Sequence, residues 1–286
     1  MILQETMNLP NGVAIPKLAL GTWMIEDGVV ADAVKAAIDI GYRHIDTAQA
    51  YGNERGVGEA IRTCGIPRED LFVQSKLAAE VKDYEGAKAA IDDSLKTMGL
   101  DYIDLFIIHS PQPWGDWASD DRFFDGNLAA WKAMEEAVEA GKLRAIGVSN
   151  FQQQDLDNLL ENANVKPMIN QILAHVGNTP FDLIDYATSK GMLIEAYSPI
   201  GHGKILENED IKAMADTYGV TVPQLCIRYV LQLGLLALPK TGNPKHMKSN
   251  ADLDFEISAE DMKKLKSVTA KDYGDASVFP VYSGAQ

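Results

Sequence analysis

Four side chains that could hold or move a proton lie close to the ends of three predicted strands. Asp46 and Tyr51 come with the first of these strands, Lys76 with the second and His109 with the third. The carboxyl ends of successive parallel strands are where barrels and open α/β sheets build their active sites. We therefore predict that these four residues form one catalytic group.

The chemistry predicted for this group is proton donation by the phenol of Tyr51. An unperturbed tyrosine titrates at about 10, so it gives up a proton at neutral pH only when a neighbour lowers its pKa. Lys76 is the candidate neighbour, because a cation beside the phenolate would lower that pKa. Asp46 would hold the lysine, and His109 would orient a substrate.

Each residue also has an ordinary structural interpretation. A strand-end aspartate is often the cap of the next helix, and a tyrosine near a turn is often a half-buried wall. Taken alone, Lys76 could be a solvated side chain and His109 a hydrogen-bonded core histidine. The equivalent placement of all four in consecutive strand–helix units favours the catalytic interpretation.

Strands and helices alternate along the whole chain, which predicts a parallel sheet. Eight such units in 286 residues favour a closed barrel over an open sheet. The predicted fold is an α/β-class (β/α)8 TIM barrel, forming a single domain over residues 1–286. The predicted strands are Lys17–Leu20, His44–Asp46, Leu71–Ser75, Ile103–Ile108, Arg144–Val148, Met168–Gln171, Leu193–Tyr197 and Leu235–Leu238, and the predicted helices include Tyr84–Met98 and Leu128–Ala140.

Three segments depart from this alternation. Residues 9–12, Leu-Pro-Asn-Gly, read as a tight turn between two short extended runs and predict an N-terminal β-hairpin. Residues 111–127 are long for a connector and rich in aromatics, which favours a wall or lid over the substrate, with a self-packed surface lobe as the alternative. Residues 273–286 follow the last helix and contain Phe279 and Tyr282.

Composition limits the partners and the compartment. The net charge of −15 argues against nucleic acid and against anionic membranes. The two cysteines, Cys64 and Cys226, lie far apart, so a disulfide is not expected and a reducing compartment fits. With no basic leader and no long apolar run, we expect a cytoplasmic protein, and we expect it to be a monomer.

Together with their flanking residues, the four candidates give the chain a resemblance to the aldo-keto reductases, in particular to soluble bacterial members similar to 2,5-diketo-gluconate reductases. The matching runs extend over nearly the whole chain. They are Leu20-Gly21-Thr22-Trp23, Gly41-Tyr42-Arg43-His44-Ile45-Asp46-Thr47-Ala48, Tyr51-Gly52-Asn53-Glu54, Ser75-Lys76, Gly147-Val148-Ser149-Asn150-Phe151, Ala196-Tyr197-Ser198-Pro199 and Leu238-Pro239-Lys240.

This resemblance implies an NAD(P)H-dependent reductase of aldehydes or ketones, with the hairpin as a plug in the barrel floor and the C-terminal tail as a pocket wall. It implies that NADPH, NADH or both are bound, although no Gly-x-Gly-x-x-Gly run follows any strand. The implied cofactor-binding residues are Thr22, Trp23, Ser149, Asn150, Gln171, Tyr197, Ser198, Lys240, Thr241, Asn243, His246 and Asn250. The implied substrate pocket consists of Trp23, Tyr51, His109 and Trp114.

The resemblance gives some of these residues particular roles. Ser149, Asn150 and Gln171 match residues that hydrogen-bond the nicotinamide amide, and Tyr197 matches the residue that stacks on its ring. Lys240 and Thr241 match residues that contact the phosphate on the adenosine side. Independently of the resemblance, residues 238–248 are the most basic stretch of an acidic chain and follow the last strand, where barrels bind phosphate.

The sequence departs from the family pattern at several positions. His246 stands where NADPH-specific members usually carry arginine, whose guanidinium forms a fork to a 2′-phosphate. Ser249 stands where an acid or an amide usually meets the adenine. These two changes predict weak discrimination between NADPH and NADH. Ser110 and Leu173-Ala174 replace a usual tryptophan and a usual Glu-Tyr pair, so the pocket is predicted to be wider there or filled by Trp114.

Two other functions stay open from the sequence. A metal-dependent barrel hydrolase could use His44 and Asp46 with His109, although no His-x-His pair or carboxylate cluster completes a ligand set. A non-catalytic, cofactor-sensing regulatory subunit is the second alternative, since the fold alone does not establish activity. The retention of all four catalytic residue types favours the reductase.

Overall fold

The chain begins with a β-hairpin that closes one end of a barrel. Strands β1 (Thr6–Asn8) and β2 (Ala14–Pro16) pair antiparallel around a turn in which Gly12 has a positive φ of 84°. The side chains of Leu9 and Ile15 are buried. They pack in one apolar cluster with barrel residues, namely Phe72, Leu105, Ile107, Ala145, Met168, Ile169 and Leu236. The predicted hairpin and its place as a plug are both confirmed.

Eight parallel strands form the barrel in the computed structural model, which describes residues 1–284. The strands are β3 (Ala19–Gly21), β4 (His44–Asp46), β5 (Phe72–Leu77), β6 (Ile103–Ile108), β7 (Leu143–Ser149), β8 (Ile169–Leu173), β9 (Leu193–Tyr197) and β10 (Leu236–Leu238). Each strand is hydrogen-bonded to the next in chain order. The first and last strands also meet, since Gly21 N donates to Pro239 O at 3.0 Å. The predicted (β/α)8 fold is confirmed.

Helices surround this barrel. They are α1 (Asp27–Ile40), α2 (Glu54–Thr63), α3 (Tyr84–Met98), α4 (Phe124–Glu139), α5 (Gln153–Asn162), α6 (Phe181–Ser189), α7 (Glu209–Thr217), α8 (Val222–Gln232), α9 (Pro244–Ala251) and α10 (Ala259–Ser267). Helix α3 has the predicted bounds, because both of its ends carry strong signals. The Asp83 carboxylate accepts from Gly86 N at the start, and Gly99 is left-handed at the end.

Several predicted bounds are wrong, each for a local reason. The first barrel strand is Ala19–Gly21 rather than Lys17–Leu20. Strand β5 continues through Lys76, because the lysine points into the barrel and pairs in register with Ile107. Helix α4 begins four residues before the predicted Leu128, since Phe123 turns the chain with a positive φ and the Asp121 carboxylate accepts its N–H. Within residues 1–284, no helix has both the length and the apolar character needed to cross a bilayer.

Candidate active site

A cleft of about 370 Å³ opens at the carboxyl ends of the barrel strands. This is the end opposite the hairpin plug. Most of the residues predicted for catalysis, cofactor and substrate line it together. They are Trp23, Asp46, Tyr51, His109, Trp114, Ser149, Asn150, Gln171, Tyr197, Ser198 and Lys240.

Lys76 lies behind the cleft wall, fully buried and paired with a carboxylate. Alternation along β5 turns Gln74 and Lys76 into the barrel interior, and β4 does the same for Asp46. The Lys76 Nζ donates to Asp46 Oδ1 at 2.6 Å and to the Thr47 carbonyl at 2.8 Å. A buried ammonium held by a carboxylate and a carbonyl is fixed in place, so its positive charge acts on neighbouring groups from one defined position.

Tyr51 lies on a short 3-10 turn, Gln49–Tyr51, directly after β4. The Lys76 Nζ lies 4.8 Å from the centre of the Tyr51 ring. The pKa of Tyr51 is nevertheless well above its ordinary value, because burial disfavours the phenolate and the charge of Asp46 disfavours it further. The predicted net lowering of this pKa is therefore wrong. Burial and the charge of Asp46 outweigh any effect of the lysine, and the phenol keeps its proton at neutral pH.

His109 faces Tyr51 across the cleft. The two rings meet edge to face with their centres 5.7 Å apart. Burial lowers the pKa of His109 well below its ordinary value, and the cations Lys76 and Lys82 lower it further. The imidazole is therefore neutral at pH 7. Its buried Nδ1 has no hydrogen-bond partner among residues 1–284, so we place the single N–H on Nε2.

A glutamine joins the catalytic pair to a second buried carboxylate. The Gln171 Nε2 donates to Asp46 Oδ1 at 3.1 Å and to Glu195 Oε2 at 2.9 Å. The register of β8 on β9 sets Gln171 directly beside Glu195. Glu195 was not predicted as a site residue. Its position two residues before Tyr197 on the same strand was the signal that could have found it, because alternate residues share a face.

The opposite wall of the cleft carries a hydrogen-bonded group at the end of β7. The Asn150 amide donates to the His109 carbonyl at 3.0 Å, and its Oδ1 accepts from the Tyr197 hydroxyl at 2.7 Å. Ser149 Oγ donates to the Gln171 carbonyl at 2.8 Å. Asn150 also has a positive φ of 62°. Such strained backbone is found at sites where the surrounding contacts fix a side chain for function.

Aromatic residues from three segments form the outer wall. Trp114 lies in the long loop, lines the cleft and meets His109 edge to face with the ring centres 5.1 Å apart. From the C-terminal tail, Phe279 and Tyr282 pack against Trp23. The long loop and the tail therefore both contribute to the wall, although residues 285 and 286 of the predicted tail lie outside the described residues.

The predicted phosphate site lies at the start of α9. Asn243 caps this helix, since its Oδ1 accepts from Lys245 N at 3.0 Å. The side chains of Lys240 and His246 are exposed. Asn250 is buried within the helix and does not line the cleft, nor do Thr241, Asn243 and His246. Thr22 is likewise buried and donates to the Asp46 carbonyl at 2.9 Å.

The residues proposed for a metal do not form a ligand set. Among residues 1–284, no group of three histidine, cysteine or acidic side chains is placed to hold an ion. His44 lies deeper in the barrel, where its two ring nitrogens face the Pro16 carbonyl and Gln74 Oε1. This placement gives the hydrolase alternative no structural support.

Known proteins resemble this chain in both sequence and structure. It is 42% identical over 268 residues to the glyoxal reductase of Bacillus subtilis, covering 93% of each chain. It is 38% identical to the 9,11-endoperoxide prostaglandin H2 reductase of Trypanosoma cruzi, covering 91% of this chain and 89% of that one. The crystal structure of a Bombyx mori aldo-keto reductase in complex with NADP superposes with a TM-score of 0.84 at 32% identity, covering 97% and 98% of the two chains.

These relatives do not confirm the narrower likeness to 2,5-diketo-gluconate reductases. The sequence model of the Aldo/keto reductase family, however, matches residues 17–270, which is most of the chain. The chain therefore belongs to the aldo/keto reductase family and is an NAD(P)H-dependent carbonyl reductase.

Proposed function

We propose that this chain reduces small aldehydes or ketones with Tyr51 as the proton donor. The observation that carries this proposal is the meeting of Tyr51 and His109 across one cleft, with the buried Lys76–Asp46 pair directly behind the phenol. A carbonyl oxygen placed between the two rings would lie within reach of both the phenol and the imidazole N–H.

The proton comes from a phenol that is protonated at neutral pH. Its raised pKa keeps Tyr51 in the state that a donor needs. As the proton moves to the carbonyl oxygen, negative charge grows on the phenol oxygen, and the cation of Lys76 stabilises that charge. Asp46 holds the lysine in position. His109 is neutral and donates one hydrogen bond to the carbonyl oxygen, which orients the substrate.

The residues around the cleft fit a nicotinamide cofactor. Ser149, Asn150 and Gln171 offer amide and hydroxyl groups that would hold its carboxamide, and the ring of Tyr197 would pack against the nicotinamide. Lys240 and the start of α9 would hold a phosphate. The bound cofactor supplies the hydride that no side chain can provide.

The substrate is an uncharged carbonyl compound with an apolar body. The walls formed by Trp23, Trp114, Phe279 and Tyr282 are aromatic, and aromatic walls favour apolar ligands with a few placed polar groups. Of the described residues that line the cleft, Lys240 alone has a cationic side chain, and we assign it to the cofactor. The name of the B. subtilis relative makes glyoxal a suitable small test compound.

We also propose a monomeric, cytoplasmic protein with one domain and no nucleic-acid or membrane partner. The net charge of −15 and the two free cysteines support this proposal. The regulatory-subunit alternative has less support than the enzyme, because Tyr51, His109 and the Lys76–Asp46 pair are arranged for proton donation.

The proposed function is tested by incubating the protein with NADPH or NADH and a set of aldehydes and ketones, and following the loss of the reduced nicotinamide absorbance. We expect turnover that depends on the carbonyl compound, with apolar aldehydes reduced more efficiently than carboxylate-bearing ones. Tight cofactor binding without turnover of any carbonyl compound would instead favour the regulatory subunit.

A further inference from the structure

Glu195 is a fully buried carboxylate inside the barrel, where an ionisable group costs free energy unless it is hydrogen-bonded or paired. Its Oε2 accepts from Gln171 Nε2 at 2.9 Å and from Gln74 Nε2 at 2.7 Å. Its Oε1 has no hydrogen-bond partner within the described part of the chain and lies 3.7 Å from His44 Nε2. Burial raises the pKa of Glu195, and the charge of Asp46 adds to this, while His44 and the two glutamines oppose it.

The contacts of Gln171 show how the Glu195 carboxylate can orient the Gln171 amide. A glutamine amide has two N–H groups, and here one faces Asp46 and the other faces Glu195. Both donors are therefore in use. No hydrogen bond among residues 1–284 uses the Gln171 Oε1, and the residue lines the cleft. The amide consequently presents an acceptor, and not a donor, to whatever occupies the cleft.

The reversed amide orientation is disfavoured by both carboxyl groups. Turning the Gln171 amide over would place its oxygen against Asp46 Oδ1 and Glu195 Oε2 and remove one hydrogen-bond donor from each carboxylate. Glu195 can act in this way in either protonation state. A proton would reside on the unpartnered Oε1, and Oε2 would still accept.

We propose that Glu195 is a positioning residue, which together with Asp46 fixes the Gln171 amide so that Oε1 accepts a hydrogen bond from the carboxamide N–H of the nicotinamide. This inference rests on the proposed function, in which Gln171 contacts that carboxamide. It assigns a role in cofactor binding to a residue that does not line the cleft.

The test compares two cofactors that differ only in the group concerned. One is NADPH. The other is its reduced acetylpyridine analogue, in which a methyl ketone replaces the carboxamide and removes the N–H donors. Glu195→Leu removes one of the two acceptors that hold Gln171, whereas Glu195→Gln can keep an amide oxygen at the Oε2 position. Dissociation constants are measured by fluorescence titration for both cofactors and all variants.

We expect Glu195→Leu to weaken NADPH about threefold to tenfold, the range of one hydrogen bond, and to leave the analogue within twofold of wild type. Glu195→Gln should restore NADPH binding to within twofold. Asp104→Asn is the matched control, because Asp104 is a fully buried carboxylate held by Arg68 and Arg144. It should lower stability without changing the ratio of the two dissociation constants.

Equal weakening of both cofactors by Glu195→Leu, or no weakening of either, would overturn the positioning role. If Glu195→Leu is insoluble, Glu195→Ser removes the same acceptor, leaves room for water and is predicted to give the same change in ratio. Cofactor binding by the wild type distinguishes a failure of the proposed function from a failure of the role proposed for Glu195. A wild type that binds neither NADPH nor NADH overturns the proposed function itself, whereas normal wild-type binding with an unchanged ratio overturns only the role of Glu195.

Discussion

At the scale of single residues, burial dominates over charge at the proposed proton donor. A cation 4.8 Å from the ring of Tyr51 would lower the phenol's pKa in isolation, yet that pKa is raised. The lysine is itself paired, and the phenol is withdrawn from water. The four candidate catalytic residues could be predicted from the sequence because they lie close to the ends of predicted strands. The sign of the pKa shift could not, since it depends on how deeply the phenol is buried and on the distance to Asp46.

Substitutions of the two members of the Lys76–Asp46 pair should shift the apparent pKa of the proton donor in opposite directions. Lys76→Met removes the cation and leaves Asp46 unopposed, so the apparent pKa of the donor should rise further and kcat/KM for reduction should fall at least tenfold. Asp46→Asn removes the anion that raises the pKa of Tyr51, so the apparent pKa should fall. The pH dependence of alcohol oxidation measures this, because that direction requires the phenolate. Shifts of the same sign in both variants would contradict the assignment.

Cofactor preference is predicted to depend on His246. Its imidazole lacks the fixed guanidinium fork, so we expect usable NADH activity and only weak preference for NADPH. His246→Arg should increase the affinity for NADPH by roughly one to two decades, because a charge-assisted contact contributes about 1.5 to 3 kcal/mol. The affinity for NADH should change little. The gain should diminish at high salt. Lys263→Arg, on the exposed face of α10, is the control. A wild type that already strongly prefers NADPH, together with an unchanged NADPH affinity in His246→Arg, would show that Lys245 or Lys248 holds the phosphate.

At the scale of elements, the long loop is held in place by an ion pair between the partly exposed Arg122 and the buried Asp155. Arg122 donates to Asp155 through Nε at 3.0 Å and also contacts Gln112 Oε1 at 3.0 Å, and Asp155 caps helix α5. This anchor fixes the segment that carries Trp114 over His109. Neither partner could be predicted from the sequence, because Arg122 and Asp155 are separated by β7 and meet only after the barrel closes.

Releasing this anchor should affect the substrate more than the cofactor. Arg122→Met leaves Asp155 buried without its cation, so we expect a stability loss of about 3 kcal/mol and a KM for the carbonyl substrate raised several-fold, with the cofactor dissociation constant within twofold. Steady-state kinetics and urea unfolding measure these changes. Lys142→Met breaks the exposed pair with Asp92 and should alter neither. A wild-type KM in Arg122→Met would mean that the loop keeps its position without the ion pair.

The bounds of helices and strands could be predicted well where local sequence signals mark their ends, and poorly where tertiary packing sets those ends. Helix α3 has a strong cap at each end and was predicted with its correct bounds. Helix α4 begins within a loop and carries Gly126 in its first turn, a residue that disfavours helices, so its start was predicted too late. Glu195 shares a strand face with Tyr197, but its contacts with Gln171 on the adjacent strand and with Gln74 on β5 arise only when the barrel closes, so they could not be predicted.

At the scale of the whole molecule, buried neutral histidines make stability depend on pH. Burial lowers the pKa of His175, whose Nε2 meets the Tyr273 hydroxyl at 2.9 Å, and burial lowers the pKa of His109 as well. Below about pH 6.5 an unfolded histidine takes up a proton that the folded one resists. The unfolded state then binds more protons at these two sites, so their contribution to the free energy of unfolding falls as the pH falls from about 7 towards 5.

Removing one of these histidines should reduce this acid sensitivity. His175→Gln can keep hydrogen bonds to the tail and has no proton to gain, so its free energy of unfolding should fall less between pH 7 and pH 5 than that of the wild type. The difference is limited to about 1.4 kcal/mol per pH unit. Urea unfolding at several pH values gives the comparison. Parallel curves for the two proteins would mean that His175 titrates equally in both states.

The central claim is that Tyr51 gives the proton, and single-turnover reduction by Tyr51→Phe tests it most directly. The substitution removes the hydroxyl alone, so the dissociation constant of NADPH should stay within about twofold of wild type. The rate of carbonyl reduction from the preformed cofactor complex should fall by a factor on the order of 10² to 10⁴, the usual contribution of a general acid. A rate within a few-fold of wild type, with cofactor binding intact, would contradict the assignment.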